Sequence, residues 1–307
     1  MPSPHGRART GPLWPLGVLL LVFVVVDPLL PAMERVGRWR GGEFMVGLMA
    51  GLICAQAGLL TLWAVFGPQP LALRWIITLG AAELLLVTFL AGSLLGREGR
   101  LSWEDFVIPP LVLPLVFLVL QAPFGLFRAV TGWRIAVEGR EDVSGGARQF
   151  RIVDLLTVTL IVAVTLGLTR GAVSLGEPDL EDMAQIWLMS AIYFAILAAV
   201  NGLLALPCFW AVFAARHKLR AAAILMVYYF LLTFGYIALI SLLTGGSMPT
   251  EEIAEVIGVM VVFVAVYVAV FAGGLCLLRA GGYVLLRPRR RPAGAEQGAS
   301  PFAPEAP

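Results

Sequence analysis

From Leu13 to Leu286 the chain is dominated by long apolar runs separated by short polar connections. A membrane-spanning helix needs about twenty such residues. Inside a bilayer every backbone polar group must be satisfied within the structure, so only helices and closed barrels can cross. Barrels alternate apolar and polar residues in segments of about ten, and here the apolar residues are continuous. Ile152–Thr169 is the cleanest case, bordered by Arg151 and Arg170 and holding Asp154 as its one charge. The chain is 59% hydrophobic and only 14% charged, whereas a soluble domain carries roughly a quarter charged residues. The expected fold is an all-α, polytopic transmembrane helix bundle.

The punctuation divides the chain into a basic tail (1–12), a transmembrane domain (13–286) and a basic, then Pro/Ala/Gly-rich tail (287–307). Both tails read as disordered. About eight spans are expected, at roughly 13–30, 44–66, 71–95, 106–127, 152–169, 183–213, 221–243 and 256–278. The first run has the outline of a secretory signal, but no small-x-small cleavage site follows Leu30, so it is expected to remain as a helix. Gly67-Pro68-Gln69-Pro70 predicts a tight connection. Pro109, Pro110 and Pro114 predict a kinked fourth span. Apolar character continues beyond the eighth span through Gly281-Gly282-Tyr283 to Leu286.

Eight crossings put both termini on one side, and the charges test that arrangement. Of 22 basic residues, 15 fall on the side of the termini, 6 on the other side, and Arg279 lies at the end of the last span. Acidic residues segregate the opposite way, twelve against five. Basic residues mark the cytoplasmic side, so both termini are predicted cytoplasmic. The arginine clusters at Arg128–Arg151 and Arg287–Arg291 are then placed to meet anionic lipid headgroups.

Chemistry-bearing patterns are sparse. The sequence contains no phosphate-binding GxxxxGK[ST], no HExxH, no GxSxG and no nucleic-acid-binding module. Cys54, Cys208 and Cys276 lie far apart in apolar runs, and only two histidines are present. No catalytic, cofactor-binding or metal-binding residue is therefore assigned, and no cofactor is expected.

Three carboxylates fall within the spans: Asp27, Glu83 and Asp154. A charge in hydrocarbon is costly, so each needs an explanation. Asp154 sits in the first turn of its span, three residues after Arg151. The pair reads as a structural cap at a helix N-terminus. Asp27, before Pro28 near the outer end of the first span, is expected to reach the interface. Glu83 is different, since it lies near the middle of the third span, one turn after Gly80, which is expected to admit another backbone. Its candidate partners are Gln56, Arg74, Gln185 and Asn201, and Glu83 and Asn201 are the candidate intramembrane functional residues. Gly47-x3-Gly51-x3-Ala55 and the stripe Ala191, Ala195, Ala199 and Gly202 predict close helix packing.

The run from Arg148 to Thr159, Arg-Gln-Phe-x-Ile-x-Asp-Leu-Leu-x-x-Thr, continues to Val162-Ala163-Val164 and Leu166-Gly167-Leu168. With the preceding Gln121-Ala122-Pro123, Leu126-Phe127-Arg128 and Gly132-Trp133-Arg134, it resembles a segment of uncharacterised multi-pass membrane proteins of planctomycete bacteria. The resemblance implies a bacterial inner (cytoplasmic) membrane location and supplies no catalytic residues. The expected function is a non-enzymatic scaffold or envelope-assembly role, embedded in lipid. The alternative is a transporter or channel using the midspan carboxylate Glu83.

Overall fold

A computed structural model describes residues 13–36, 42–94, 104–138, 159, 163, 180–243 and 249–286. Among them are seven long helices: α1 (Trp14–Val36), α2 (Gly42–Phe66), α3 (Leu71–Leu94), α4 (Glu104–Thr131), α5 (Leu180–Phe209), α6 (Lys218–Leu243) and α7 (Thr250–Ala280). Six of these contain a stretch long and apolar enough to cross a membrane; α1 contributes a shorter apolar stretch, Trp14–Leu30. The protein is thus a polytopic helical bundle. Apart from Thr159 and Ala163, the expected span 152–169, with Arg151 and Asp154, lies outside the described residues, as do the tails.

Helix α2 is the axis of the bundle. Its residues from Thr61 to Phe66 are all buried, and it meets α3, α4, α5 and α7. The approach to α7 is backbone to backbone. A Cβ on Gly47 would lie 2.6 Å from the Val259 carbonyl oxygen, and one on Gly51 2.6 Å from that of Phe263. The small-residue spacing read from α2 therefore serves packing within the chain. On α5, Gly202 accepts the ring of Pro123 from α4 in the same way. By contrast, α6 turns most of its apolar surface outward, with Met226, Phe230 and Leu231 more than half exposed, as a lipid-facing helix does.

Prolines are accommodated, not avoided. Helix α4 runs unbroken through Pro109, Pro110 and Pro114. In α5, Pro207 has no N–H to give the Leu203 carbonyl four residues back, and the Tyr228 hydroxyl of α6 donates to that carbonyl at 3.0 Å instead. A neighbouring side chain thus satisfies the group the proline frees. Helix α5 then widens into a π turn, Trp210–Ala214, closed by Ala215 N–H donating to Trp210 O at 3.1 Å.

The all-α expectation needs one amendment. The apolar tail of the last span is not helical: α7 stops at Ala280, and β1 (Arg134–Val137) pairs antiparallel with β2 (Tyr283–Leu286), Val137 opposite Tyr283. Each strand leaves its helix through a glycine with positive φ, Gly132 at 66° and Gly282 at 83°, a conformation that glycine reaches without a Cβ clash. The sheet lies at one end of the bundle, hereafter the turn face. Tyr283 meets Trp63 of α2 edge-on at 5.4 Å. Trp133 does the same with Phe127 of α4 at 5.3 Å, and Phe66 packs on Phe209 of α5 at 5.1 Å. Pro15 of α1 lies against Gly281. The C-terminal ends of α2, α4, α5 and α7 and the start of α1 therefore gather on this one face.

Candidate functional site

Among the described residues, the polar side chains of the spans that the sequence singles out lie in three places. The first joins α1 to α2. Asp27 is buried, 2% exposed, and accepts a hydrogen bond from Gln56 Nε2 at 2.6 Å. This corrects the expectation that Asp27 reaches the interface. It also removes Gln56 as a partner for Glu83.

Two residues along α2, on the opposite side of the helix, Gly58 opens the second place. The Tyr267 hydroxyl of α7 donates to Asn201 Oδ1 of α5 at 2.8 Å. A Cβ on Gly58 would stand 2.8 Å from that oxygen and 2.9 Å from the hydroxyl. Asn201 and Tyr267 are buried, and the Tyr267 ring stacks on Phe271 at 5.5 Å. Nearby, on the seam between α5 and α6, Tyr229 of α6 donates to the Leu204 carbonyl and lies 3.0 Å from Cys208 Sγ. Asn201 thus joins α5 to α7 across α2 and is not directed at Glu83. Tyr267 went unnoticed in the sequence; a lone tyrosine deep in the valine-rich last span was the available signal.

Glu83 occupies the third place, and the structure sets it apart. The buried face of α3 carries Arg74, Trp75, Thr78, Ala81, Ala82, Leu85 and Gly92. Glu83 lies instead on the stripe of Ile76, Gly80 and Val87, of which Ile76 is 69% and Val87 55% exposed. Nothing lies within 4 Å of a Cβ placed on Gly80, so the backbone approach expected there is not made by any described residue. Glu83 itself is half-buried, with no hydrogen-bond partner among the described residues. Arg74, one of its expected partners, donates to the Val65 carbonyl at 2.6 Å.

Basic side chains cluster at the turn face, where four helix C-termini present unsatisfied carbonyls and the negative end of their dipoles. Arg128 joins Arg74 on the Val65 carbonyl. Lys218 donates to Ala211 O at 3.0 Å and Val212 O at 2.6 Å, and Arg279 also donates to Val212 O. Each pair ties two neighbouring helices to the end of a third. Among the described residues no group of three or more His, Cys, Asp or Glu side chains is placed to hold a metal ion. No family model, curated protein or solved structure matches the chain.

Proposed function

We propose that the protein is a non-enzymatic integral membrane protein of the bacterial cytoplasmic membrane, with a scaffold or envelope-assembly role. The outward stripe of α3 carries this reading. Asp27 pairs with Gln56 and Asn201 with Tyr267 from helix to helix, whereas the half-buried Glu83 lies on the outward stripe of α3 beside Gly80. A carboxylate facing hydrocarbon is costly until a polar group covers it, and an open glycine admits a close helix. The occupant we assign is a membrane helix of a partner protein, with a hydrogen-bonding side chain opposite Glu83.

In this reading the chain crosses eight times, with both termini cytoplasmic. Connectivity supports the number. Helix α4 ends on the turn face and α5 also ends there, so the chain between them has to change sides. Ile152–Thr169 is the apolar stretch of suitable length. The arginine bias supports the orientation and puts the loop and tail arginines among anionic headgroups.

A transporter or channel using Glu83 is the second reading, favoured by the position of that carboxylate midway along an apolar helix. The test is a photo-crosslinking residue at Val87 in native membranes, followed by purification in mild detergent and mass spectrometry. A stoichiometric adduct with another protein is expected. Adducts only with lipid, or with the chain's own 152–169 segment, overturn the assembly reading. Glu83→Gln then separates the two functions. Loss of the partner with an unchanged melting temperature belongs to assembly, and loss of a pH-dependent solute response belongs to transport.

A further inference from the structure

Two helices turn apolar surface outward in different ways. The outward face of α6 is bulky, with Met226, Phe230 and Leu231. That of α7 carries almost nothing large. Gly258, Val261, Ala265, Ala269, Gly273 and Cys276 are exposed along one side of it, opposite the buried Tyr267, Phe271 and Leu275. Nothing lies within 4 Å of a Cβ placed on Gly258 or on Gly273. Small residues in such a row let another membrane helix come close.

The path of the chain identifies the occupant. Glu138, the last described residue before the 152–169 segment, donates its N–H to the Gly282 carbonyl at 2.8 Å, just beyond the end of α7 at Ala280. The chain therefore sets out for that segment from the C-terminal end of α7, and a crossing from there runs antiparallel to α7. Residues 171–179 reach up to about 30 Å when extended. Since α5 already touches α7 at Asn201 and Tyr267, the return to Leu180 is within range.

The charges match in that direction. Helix α7 begins with the exposed Glu251 and Glu255, neither of which meets a cation among the described residues. It ends with the exposed Arg279, whose Nη1 donates to the Val212 carbonyl. The segment opens with Asp154 and is closed by Arg170. Thr159 and Ala163, its two described residues, are helical and exposed. At about 3.6 residues per turn, Asp154, Ile161 and Leu168 fall on the side opposite these two.

We propose that the 152–169 segment covers the outward face of α7 with its Asp154–Ile161–Leu168 side. Asp154 pairs with Arg279 at the turn face, Arg170 meets Glu255 toward the other end, and Ile161 and Leu168 seat over the low stretch from Ala265 to Gly273. Opposite charges at the edge of the hydrocarbon then neutralise one another. This packing rests on the eight-crossing reading and leaves the α3 stripe to its partner.

The test uses the full chain in native membranes. In the register set by Asp154 and Arg279, position 157 lies level with Cys276, the exposed one of the three cysteines. With Thr157→Cys, oxidation by copper phenanthroline is expected to join position 157 to Cys276 within one chain, read by mass spectrometry of the monomer. The product is expected to be lost with Cys276→Ser and with Thr159→Cys in place of Thr157→Cys. Val158→Cys repeats the readout should Thr157→Cys fold poorly. Adding Asp154→Asn is expected to lower the yield, and Asp154→Glu to keep it. No pairing at either position, pairing between two chains, equal pairing from Thr159→Cys, or a yield indifferent to Asp154→Asn overturns the proposal. An impermeant maleimide on Ser144→Cys and Ser174→Cys tests the crossing separately. Labelling of both from one side overturns the eight-crossing reading as well, whereas labelling from opposite sides without a Cys276 product overturns the packing alone.

Discussion

The Tyr267 hydroxyl donates to Asn201 Oδ1 at 2.8 Å, directly over the one turn of α2 where Gly58 leaves room for both atoms. Three helices therefore depend on a hydrogen at one position. Gly58→Ala places a methyl inside hydrogen-bond distance of both oxygens, so either the pair separates or α2 retreats. Overpacking of this kind costs about 1–3 kcal/mol, read as a lower melting temperature in detergent. Tyr267→Phe costs about 1 kcal/mol through the lost bond. Because both changes act on the same bond, the double variant is expected to lose less than the sum. Wild-type melting by Gly58→Ala would show that α5 and α7 do not close on α2 this tightly.

The Asp27–Gln56 bond predicts an asymmetry between two conservative substitutions. Gln56→Leu leaves the Asp27 carboxyl buried with its donor gone, a loss of about 1–3 kcal/mol. Asp27→Asn keeps an acceptor for Gln56 Nε2 and is expected to change stability by less than about 1 kcal/mol. Detergent unfolding curves for the two variants check this. Equal losses would mean that the ionised carboxylate, and not the hydrogen bond, holds α1 to α2.

These two bonds also mark where the sequence stops being legible. The apolar runs, the Gly-Pro connection and the close-packing glycines Gly47 and Gly51 could be read directly, because each rests on length or local steric need. Which way a polar residue points could not. A soluble helix announces its buried face by an amphipathic stripe, but a membrane helix is apolar all round. The sequence puts Asp27 at the interface and Glu83 against another backbone, and the structure reverses the two: Asp27 is interior and bonded, Glu83 on the outward stripe. The β1–β2 pair was missed for a related reason, since four apolar residues after a long apolar helix show no period of their own. Gly281-Gly282 just after Arg279 was the stop signal.

Tyr283 gives a prediction tied to pH, outside the spans. Its ring is buried against Trp63, and burial raises its phenol above the ordinary value of 10.0. A group whose folded-state value is raised contributes stability that is complete below the unfolded value and is lost as pH climbs through the folded one. The strand pair is therefore expected to loosen from the end of α2 only above about pH 10. Tyr283→Phe keeps the edge-on packing and removes the titrating group. Its melting temperature should match the wild type to within a few degrees at pH 8 and fall less steeply from about pH 10 upward. Tyr283→Ala, which removes the ring itself, should melt lower at every pH, by about 3 kcal/mol or more. Parallel alkaline slopes for wild type and Tyr283→Phe would show that the phenol is solvated and that the sheet does not seal this end of the bundle.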